Sequence, residues 1–243
     1  MSITAAGEAF LPYCEKVVRA SQEGHQLITN LNTSVSGHIK IAAPPAFATH
    51  CLAETVDDFC KAYPDVTIQL VLGPSLEQMI AQGFDIILRS AELDDSNLIV
   101  RKLVDLPLVV CASPSFINQY GLPERIDQLS SYRWGIYSHQ SKHARLDFYQ
   151  RQTVHPVEIT SHIQCDSLNT LKALVMLGIC LACLPQFMVG SEIAQHKLLP
   201  VLPTYQLNPS PLYVLKPARD HTPSAVSLFI EYLFQYSATS DKQ

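Results

Sequence analysis

The sequence is poor in the features that mark several common functional classes. Its 243 residues include 17 basic and 22 acidic side chains, a net charge of −5, with no basic run. The residues present therefore do not predict a nucleic-acid-binding face. No stretch of about 18 apolar residues occurs, so we predict no transmembrane helix. Residues 1–7 lack the basic and apolar segments of a secretory signal, and we expect a cytoplasmic protein.

Metal and redox chemistry have little support in the sequence. The seven cysteines lie mostly in apolar runs, as buried and reduced thiols of a cytosolic protein do. Cys180 and Cys183 have the C-x-x-C spacing, but on a predicted strand their side chains point to opposite faces, which excludes a shared metal or a disulfide. Redox sensing through Cys111 or Cys165 stays open as a variant. We predict no metal site and no cofactor.

The usual catalytic signatures are also missing. The hydrolase elbow, the P-loop, the dinucleotide-binding glycine pattern and the zinc-protease motif do not occur. The nine histidines are dispersed, and none is spaced to pair with a nucleophile. A catalytic triad assembles in space rather than along the chain, so an enzyme remains an alternative class. Our prediction is a protein that is not an enzyme.

The chain does contain a regular alternation of short apolar strands and amphipathic helices. With 47% hydrophobic and 16% charged residues, it can bury a sizeable core. The alternation predicts an α/β fold with mainly parallel strand pairing. Predicted helices include 47–62, 75–82 and 144–150, and predicted strands include 84–89, 133–137, 157–164 and 179–184.

Residues 4 to 32 have the pattern of one long amphipathic helix. Apolar residues recur at spacings of three and four, which is the heptad seam of helices that pair with one another. Pro12 predicts a kink or a later start of this helix. Because the seam precedes a compact domain, we interpret it as a dimer contact. The seam residues are Phe10, Tyr13, Val17, Ala20, Leu27 and Leu31.

The clearest indication of a binding site is the segment from Gly83 to Arg89. The glycine ends a helix, an apolar run forms a buried strand, and Arg89 stands at its carboxyl end. Ligands of open α/β sheets bind outside the carboxyl ends of the strands. Arg89 would therefore project into a crevice, where a guanidinium can hold a carboxylate. The alternative is an arginine that braces two domains through an ion pair.

Strand-to-helix turns add further candidate groups. Unpaired backbone N–H groups and the helix dipole at such turns favour an anion. Phe47 either shapes the ligand or belongs to the core, and Asp166 and Ser167 either contact the ligand or cap their helix. Tyr137 offers a hydroxyl at a strand end. The three turns lie at residues 44–48, 113–115 and 165–168.

Six short stretches together resemble the LysR-type transcriptional regulators, from their linker helix through their effector-binding domain. Each stretch is weak alone, and their order and spacing over nearly the whole chain give the resemblance its strength. The stretches are ITAAGEAF at 3–10, GHIKIA at 37–42, YPDV at 63–66, GFDIILR at 83–89, A-S-P at 112–114 and GICLACLP at 178–185.

The resemblance implies two Rossmann-like subdomains of the type II periplasmic-binding-protein kind, joined by two crossing segments and preceded by a long linker helix. The crossings are expected near Ala112 and Leu212. The winged helix-turn-helix that precedes the linker helix in the family is missing, so DNA would be bound only through that missing domain. The implied parts are a remnant of the DNA-binding wing with the dimerisation linker helix (1–36), subdomain I (37–111 and 213–243) and subdomain II (112–212).

The resemblance also implies a function and a site. Family members bind a small effector in the cleft and associate into dimers or tetramers, so we expect the effector-sensing and oligomerising region of a regulator, without a membrane partner. Many relatives hold a carboxylate with Ser or Thr in the first loop. The chain has Pro44 to Phe47 there, which makes an aromatic or more apolar effector an alternative to a simple carboxylate. The implied pocket is Pro45, Ala46, Phe47, Arg89, Ser113, Ile136, Tyr137, Asp166, Ser167 and Leu184.

Two other classes are compatible with the same fold. One is a cytosolic solute-binding protein, against which the heptad seam argues. The other is an enzyme, for which Arg89 and Asp166 would be the first candidates to handle a carboxylate substrate.

Overall fold

The structure, a computed structural model, describes Phe10, Val17 and residues 35–90, 98–138, 142–218 and 222–240. Most of the predicted front helix therefore lies outside the described residues, including Tyr13, Ala20, Leu27 and Leu31 of the seam. Phe10 and Val17 are helical, and they are 65% and 69% exposed. Two apolar side chains of the predicted seam are thus accessible to a partner.

Strands and helices alternate along the described chain. The strands are β1 Gly37–Ala43, β2 Val66–Leu72, β3 Ile86–Arg89, β4 Leu98–Leu106, β5 Leu108–Ala112, β6 Trp134–Tyr137, β7 His143–Gln150, β8 Thr153–Cys165, β9 Ala182–Pro185, β10 Leu199–Pro200, β11 Gln206–Leu207 and β12 Ser210–Pro217. The helices are α1 Pro45–Phe47, α2 Ala53–Ala62, α3 Leu76–Ala81, α4 Pro114–Tyr120, α5 Leu168–Met176, α6 Gln186–Ala194 and α7 Ser224–Ser240. A π-helical turn, Ala48–Leu52, joins α1 to α2, and a 3₁₀ turn spans Ile126–Ser131.

The first subdomain is built on a five-stranded sheet in the order β2-β1-β3-β12-β4. β1 is parallel to β2 and β3, whereas β12 is antiparallel to both β3 and β4. Helices α2 and α7 pack together through Phe59 and Phe229, whose rings lie edge to face at 5.0 Å. These two side chains are fully buried in a core that also holds Ile39, Ile41 and Leu88.

The second subdomain contains a three-stranded sheet, β10-β5-β9, and a four-stranded sheet, β11-β7-β8-β6. A parallel bridge between Trp134 and Leu181 connects the two sheets. The Trp134 side chain is buried, and its indole N–H donates a hydrogen bond to the Leu129 carbonyl at 2.7 Å. The single tryptophan thereby satisfies its one polar atom inside the core.

The chain crosses between the subdomains at Pro107 and at residues 208–209. These points are a few residues before the predicted crossings near Ala112 and Leu212. The reason is strand pairing: β5 pairs with β9 and β10 of the second subdomain, and β12 enters the first sheet at Ser210. Residues 108–111, which we expected in subdomain I, therefore belong to the second sheet.

The predicted helix over 144–150 is wrong, because this segment is strand β7. It pairs with β8 in antiparallel register from His143 to Gln150. The residues alternate with a period of two, with Leu146 and Phe148 inward and Arg145 and Asp147 outward, and this is the pattern of a strand.

The prediction of mainly parallel pairing is also wrong. Three of the nine strand pairings in the described chain are parallel and six are antiparallel. Strands that return from the other subdomain, or from a hairpin, enter the sheets antiparallel, and the order of strands and helices along the sequence does not reveal this.

The helix boundaries agree with the capping residues. Ser75 and Gln78 form the predicted capping box of α3, with Gln78 N–H donating to Ser75 Oγ at 3.3 Å and Ser75 N–H donating to Gln78 Oε1 at 2.9 Å.

In the described chain, no helix has both the length and the hydropathy needed to cross a bilayer.

We predict that Gly135→Ala destabilises the fold. A Cβ on Gly135 in β6 would lie 2.6 Å from Leu171 Cδ1 and 2.7 Å from Cys180 Sγ, both in buried side chains. Overpacking of this kind costs about 1–3 kcal/mol, which urea unfolding would measure.

Gly190→Ala is the matched control, because a Cβ at this position in α6 meets nothing within 4 Å. Replacing a glycine inside a helix by alanine should raise the free energy of unfolding by about 0.5–1 kcal/mol. Equal effects of the two substitutions would contradict the tight packing of α5 on β6.

Candidate functional site

The carboxyl ends of β1 and β3 form one side of a cleft between the subdomains. β1 leads into Pro45, Ala46 and Phe47, and β3 ends at Arg89. The two strands are parallel neighbours, so their ends meet at one edge of the sheet. The crossing at Pro107 leaves from the same edge, because β12 pairs with Arg89 through Tyr213 and with the end of β4 through Ser210.

The carboxyl ends of β6, β8 and β9 form the opposite side. β6 and β8 are parallel, and the parallel bridge from Trp134 gives β9 the same direction. These strands end at Tyr137, at Cys165 before Asp166, and at Pro185. The backbone N–H of Gln186 donates to the Pro107 carbonyl at 2.8 Å, which places this edge next to the first subdomain.

The structure does not bring Ser113 to this cleft. β5 is antiparallel to β9, so the carboxyl end of β5 and the start of α4 lie at the far edge of the second sheet. Ser113 is 2% exposed, and its Oγ accepts a hydrogen bond from Phe116 N–H at 3.3 Å. Ser113 is the cap of α4. The prediction assumed that all three strand-to-helix turns lie beside the cleft, whereas the turn at 113–115 follows an antiparallel strand and lies at the opposite edge.

Arg89 is half-buried at the cleft edge. Its backbone pairs with Tyr213 in the β3–β12 ladder, and no hydrogen bond or ion pair joins its side chain to another residue of the described chain. The bracing ion pair that we considered as an alternative is therefore not seen within the described residues. Its guanidinium has donors in a fixed planar fork, which suits a carboxylate or another planar anion.

The N-terminus of α5 follows the carboxyl end of β8, on the second subdomain's side of the cleft. Ser167 Oγ accepts a hydrogen bond from Thr170 N–H at 3.2 Å, so Ser167 caps this helix. Asp166 precedes the cap and is exposed. Helix N-termini present backbone N–H groups and the positive end of the dipole, and both favour an anion.

Apolar side chains form the walls around these polar groups. Tyr137 is 50% exposed at the end of β6, whereas Ile136 beside it is buried in the second subdomain's core. Ala46 and Leu184 are buried in one cluster, so the first loop of subdomain I packs into the core of subdomain II. Ile136 and Leu184 support the wall from behind.

An aromatic contact that the sequence analysis missed joins the two subdomains. Phe187, at the start of α6, lies edge-on to Phe47 at a ring distance of 6.2 Å and near His50 at 6.0 Å. Phe47 is only 8% exposed and belongs to the core of the first subdomain. Phe47 is thus both a core residue and a bridge. In the sequence, the one signal is a phenylalanine two residues after a strand that ends in proline.

An ion pair fixes the helix that carries Phe187. Lys172 Nζ in α5 lies 2.6 Å from Glu192 Oε1 in α6 and donates to the Met188 carbonyl at 2.5 Å. The two charged side chains are 18% and 20% exposed, so solvent screens them less than a surface pair. The hydrogen bond from Lys172 lowers the pKa of Glu192.

Burial and two neighbouring charges shift the pKa of His50. Partial burial lowers the pKa of His50, the nearby Lys172 lowers it further, and Glu192 opposes the shift. Both effects favour the neutral imidazole over the charged form, and a neutral ring beside Phe187 brings no second cation towards Lys172.

The cysteines agree with the sequence-based prediction. Cys180, which precedes β9, packs in the cluster around Leu171, whereas Cys183 in β9 packs against the cluster around Trp134, so the two side chains point into different parts of the core. Burial raises the pKa of Cys180 to about 11 and that of Cys183 to about 12. Neither thiol has the character of a reactive thiolate. Within the described residues, no group of three or more His, Cys, Asp and Glu is placed to hold a metal.

Two α/β subdomains, joined by two crossings with strand ends facing each other, define a fold of the periplasmic-binding-protein kind. Comparison with known protein families matches residues 32–238 to the LysR substrate binding domain. The chain belongs to this family and corresponds to the effector-binding region of a LysR-type regulator.

Individual relatives agree with this assignment. The chain is 29% identical over 242 residues to the HTH-type transcriptional activator AaeR of Escherichia coli K12, covering 97% of this chain and 76% of that protein. The regulatory domain of AphB from Vibrio vulnificus is 26% identical with a TM-score of 0.65, over 83% of this chain and 99% of that one. CrgA of Neisseria meningitidis, at 23% identity, shares the fold with a TM-score of 0.76 over 96% of this chain and 80% of that one. These relatives are transcription regulators.

We predict a pH-dependent contribution of His50 to stability. Because the pKa of His50 is lower in the folded chain than its usual value of 6.5, the unfolded chain binds more protons between the two values. The stabilisation is therefore complete above the usual value and falls as the pH drops from there to the folded pKa. The unfolding temperatures of the wild type and of His50→Gln are measured from pH 8 to pH 5. On acidification, the unfolding temperature of the wild type should fall by more than that of His50→Gln.

His162→Gln, at an exposed position of β8, is the control for loss of a surface histidine. If the wild type and His50→Gln gave parallel curves over the whole range, the aromatic contact would not depend on the charge of His50.

Proposed function

We propose that the cleft binds a small effector that has a carboxylate and an aromatic or apolar body. The chain would act in the cytoplasm as the sensing and oligomerising region of a transcription regulator. The observation that supports this proposal most directly is Arg89, a half-buried guanidinium at the cleft edge without a partner in the described chain. Burying a charge without a partner costs free energy unless a ligand or solvent forms hydrogen bonds with it.

The carboxylate would lie between Arg89 and the N-terminus of α5. Arg89 offers two parallel donors and the helix offers backbone N–H groups, so the two subdomains would each hold the same anion. A ligand that contacts both sides in this way binds the closed arrangement better than the open one. It would shift the equilibrium between them, and that shift is the signal.

The rest of the effector would contact apolar surface. Pro45, Ala46 and Phe47 in the first loop offer no hydroxyl, and Tyr137 presents a half-exposed ring from the other side. An aromatic or branched apolar body would pack against these groups, whereas a small polar acid would leave them exposed to water.

The aromatic contact would serve as the pivot of closure. Phe47 and Phe187 remain in contact behind the cleft while the crossings at Pro107 and residues 208–209 bend. Since two DNA-binding domains of a dimer would follow the motion of their effector domains, a small rotation at this pivot would change their separation.

Arg89→Gln tests the proposed anion contact. A panel of aromatic, aliphatic and amino-acid carboxylates is screened by thermal unfolding. A ligand at 100 times its dissociation constant stabilises by about 2.7 kcal/mol, a shift of several degrees. We expect a hit with the wild-type chain that is lost in Arg89→Gln.

Arg125→Gln, at an exposed arginine paired with Asp127, is the control and should keep the shift. A hit that survives in Arg89→Gln would show that the carboxylate is bound elsewhere. A hit with uncharged aromatics alone would contradict the carboxylate half of the proposal.

The seam of the front helix predicts self-association. Leu27→Asp would place a charge in a heptad core position. It should reduce the molecular mass of the assembly, as measured by sedimentation analysis. Gln26→Glu, one position off the seam, should leave the mass unchanged. An unchanged mass in Leu27→Asp would assign oligomerisation to other surfaces.

A further inference from the structure

The second subdomain has a polar cavity far from the cleft, which is open to solvent and has Arg151, Thr153 and Thr204 exposed in its lining. It lies between the tip of the β7–β8 hairpin and the segment before β11, and it has a volume of about 620 Å³. β8 runs from this cavity at Thr153 to the cleft at Cys165, which corresponds to about 40 Å along the strand. The lining residues are Gln150, Arg151, Thr153, His155 and Thr204.

All five lining side chains are able to donate hydrogen bonds, and none of them is acidic. Within the described residues, no hydrogen bond or ion pair from these side chains to another residue is seen. Arg125 and Arg145, by contrast, are each paired with an aspartate two residues along the chain. A guanidinium, an imidazole and two hydroxyls around one cavity form a set of donors that suits an oxyanion.

The strand alternation keeps carboxylates away from this cavity. Gln150, Thr153 and His155 share the inward face of the hairpin with Phe148, since Gln150 pairs with Thr153 and Phe148 with His155. Asp147 and Glu158 occupy the other face, where Arg145 sits opposite Glu158 in the register. In a chain with a net charge of −5, this face is locally basic.

The cavity walls have a fixed geometry. The His155 ring stands edge-on to Tyr205 at 5.5 Å, and Tyr205 stands edge-on to Phe148 at 6.3 Å. Arg151 and Leu202, on the two sides of the cavity, have φ values of 56° and 52°. Residues other than glycine rarely adopt this backbone conformation. At Arg151 it occurs at the hairpin turn from which the guanidinium extends.

We propose that this cavity is a second binding site, for a small oxyanion such as a phosphate or the carboxylates of a polyacid. Arg151 and His155 bind the anion, and Thr153 and Thr204 donate from the sides. This site is independent of the proposed effector cleft, because its residues belong to the second subdomain alone.

Titration calorimetry with inorganic phosphate and with citrate, at an ionic strength of about 0.15 M, where exposed charges more than about 8 Å apart are largely screened, tests the site. The wild-type chain should bind at least one of the two probes, and Arg151→Gln should weaken binding by about tenfold or more, as expected for loss of a charged hydrogen bond. Arg145→Gln removes an arginine from the opposite face of the same hairpin and should change the affinity less than about twofold, as expected for distant charges in a screened solvent.

Arg151→Gly separates binding from folding. Glycine tolerates the positive φ at this turn, so the unfolding temperature should stay equal or rise while the anion affinity falls. Arg89→Gln should leave the binding of these probes intact, which distinguishes this site from the cleft. Absence of binding by the wild type, equal losses in Arg151→Gln and Arg145→Gln, or a loss in Arg89→Gln would each overturn the proposal.

Discussion

The pairing of β12 with both β3 and β4 is the constraint on which the rest of the structure depends. β12 is the strand that returns from the second subdomain, and it lies beside β4, the strand that leaves for it. Both crossings therefore start at one edge of the first sheet, next to Arg89. The parallel strands β6 and β8, with β9, then turn their carboxyl ends towards the same edge. A cleft lined from both sides by strand ends is the necessary result.

The ion pairs of the described chain fall into two kinds. The pairs Lys61–Asp57 and Lys102–Asp105 are well exposed, and pairs of this kind contribute little to stability. The Lys172–Glu192 pair is largely removed from solvent, so its geometry decides how α5 and α6 pack and where Phe187 stands. Arg89 belongs to neither kind. Its position at a strand end, rather than the number of charges around it, is the basis for proposing it as the anion contact of the cleft.

Much of this arrangement was accessible from the sequence, and the exceptions have physical causes. Arg89 at the end of a buried strand and the capping box of Ser75 and Gln78 follow from local patterns, because strand ends and helix starts are specified by neighbouring residues. The strand β7 and the position of Ser113 depend on which strands pair antiparallel, and partners far along the chain decide this. The contact of His50 with Phe187 depends on the packing of two subdomains. No local sequence pattern predicts such a contact, so the candidate site was only partly predictable.

The π-helical turn at Ala48–Leu52 has an evolutionary consequence. A π turn holds one residue more than the α-helical path that it replaces. Deleting a single codon within this turn would let α1 and α2 merge into one regular helix, and the residues on one side of the deletion would rotate by about 100° around the helix axis relative to the other side. His50 would leave Phe187, while the sheet and the cleft walls stayed as they are. One insertion or deletion at this turn can therefore make or break the His50 contact between the two subdomains, and related chains could diverge in this contact without any change at the strand ends that line the cleft.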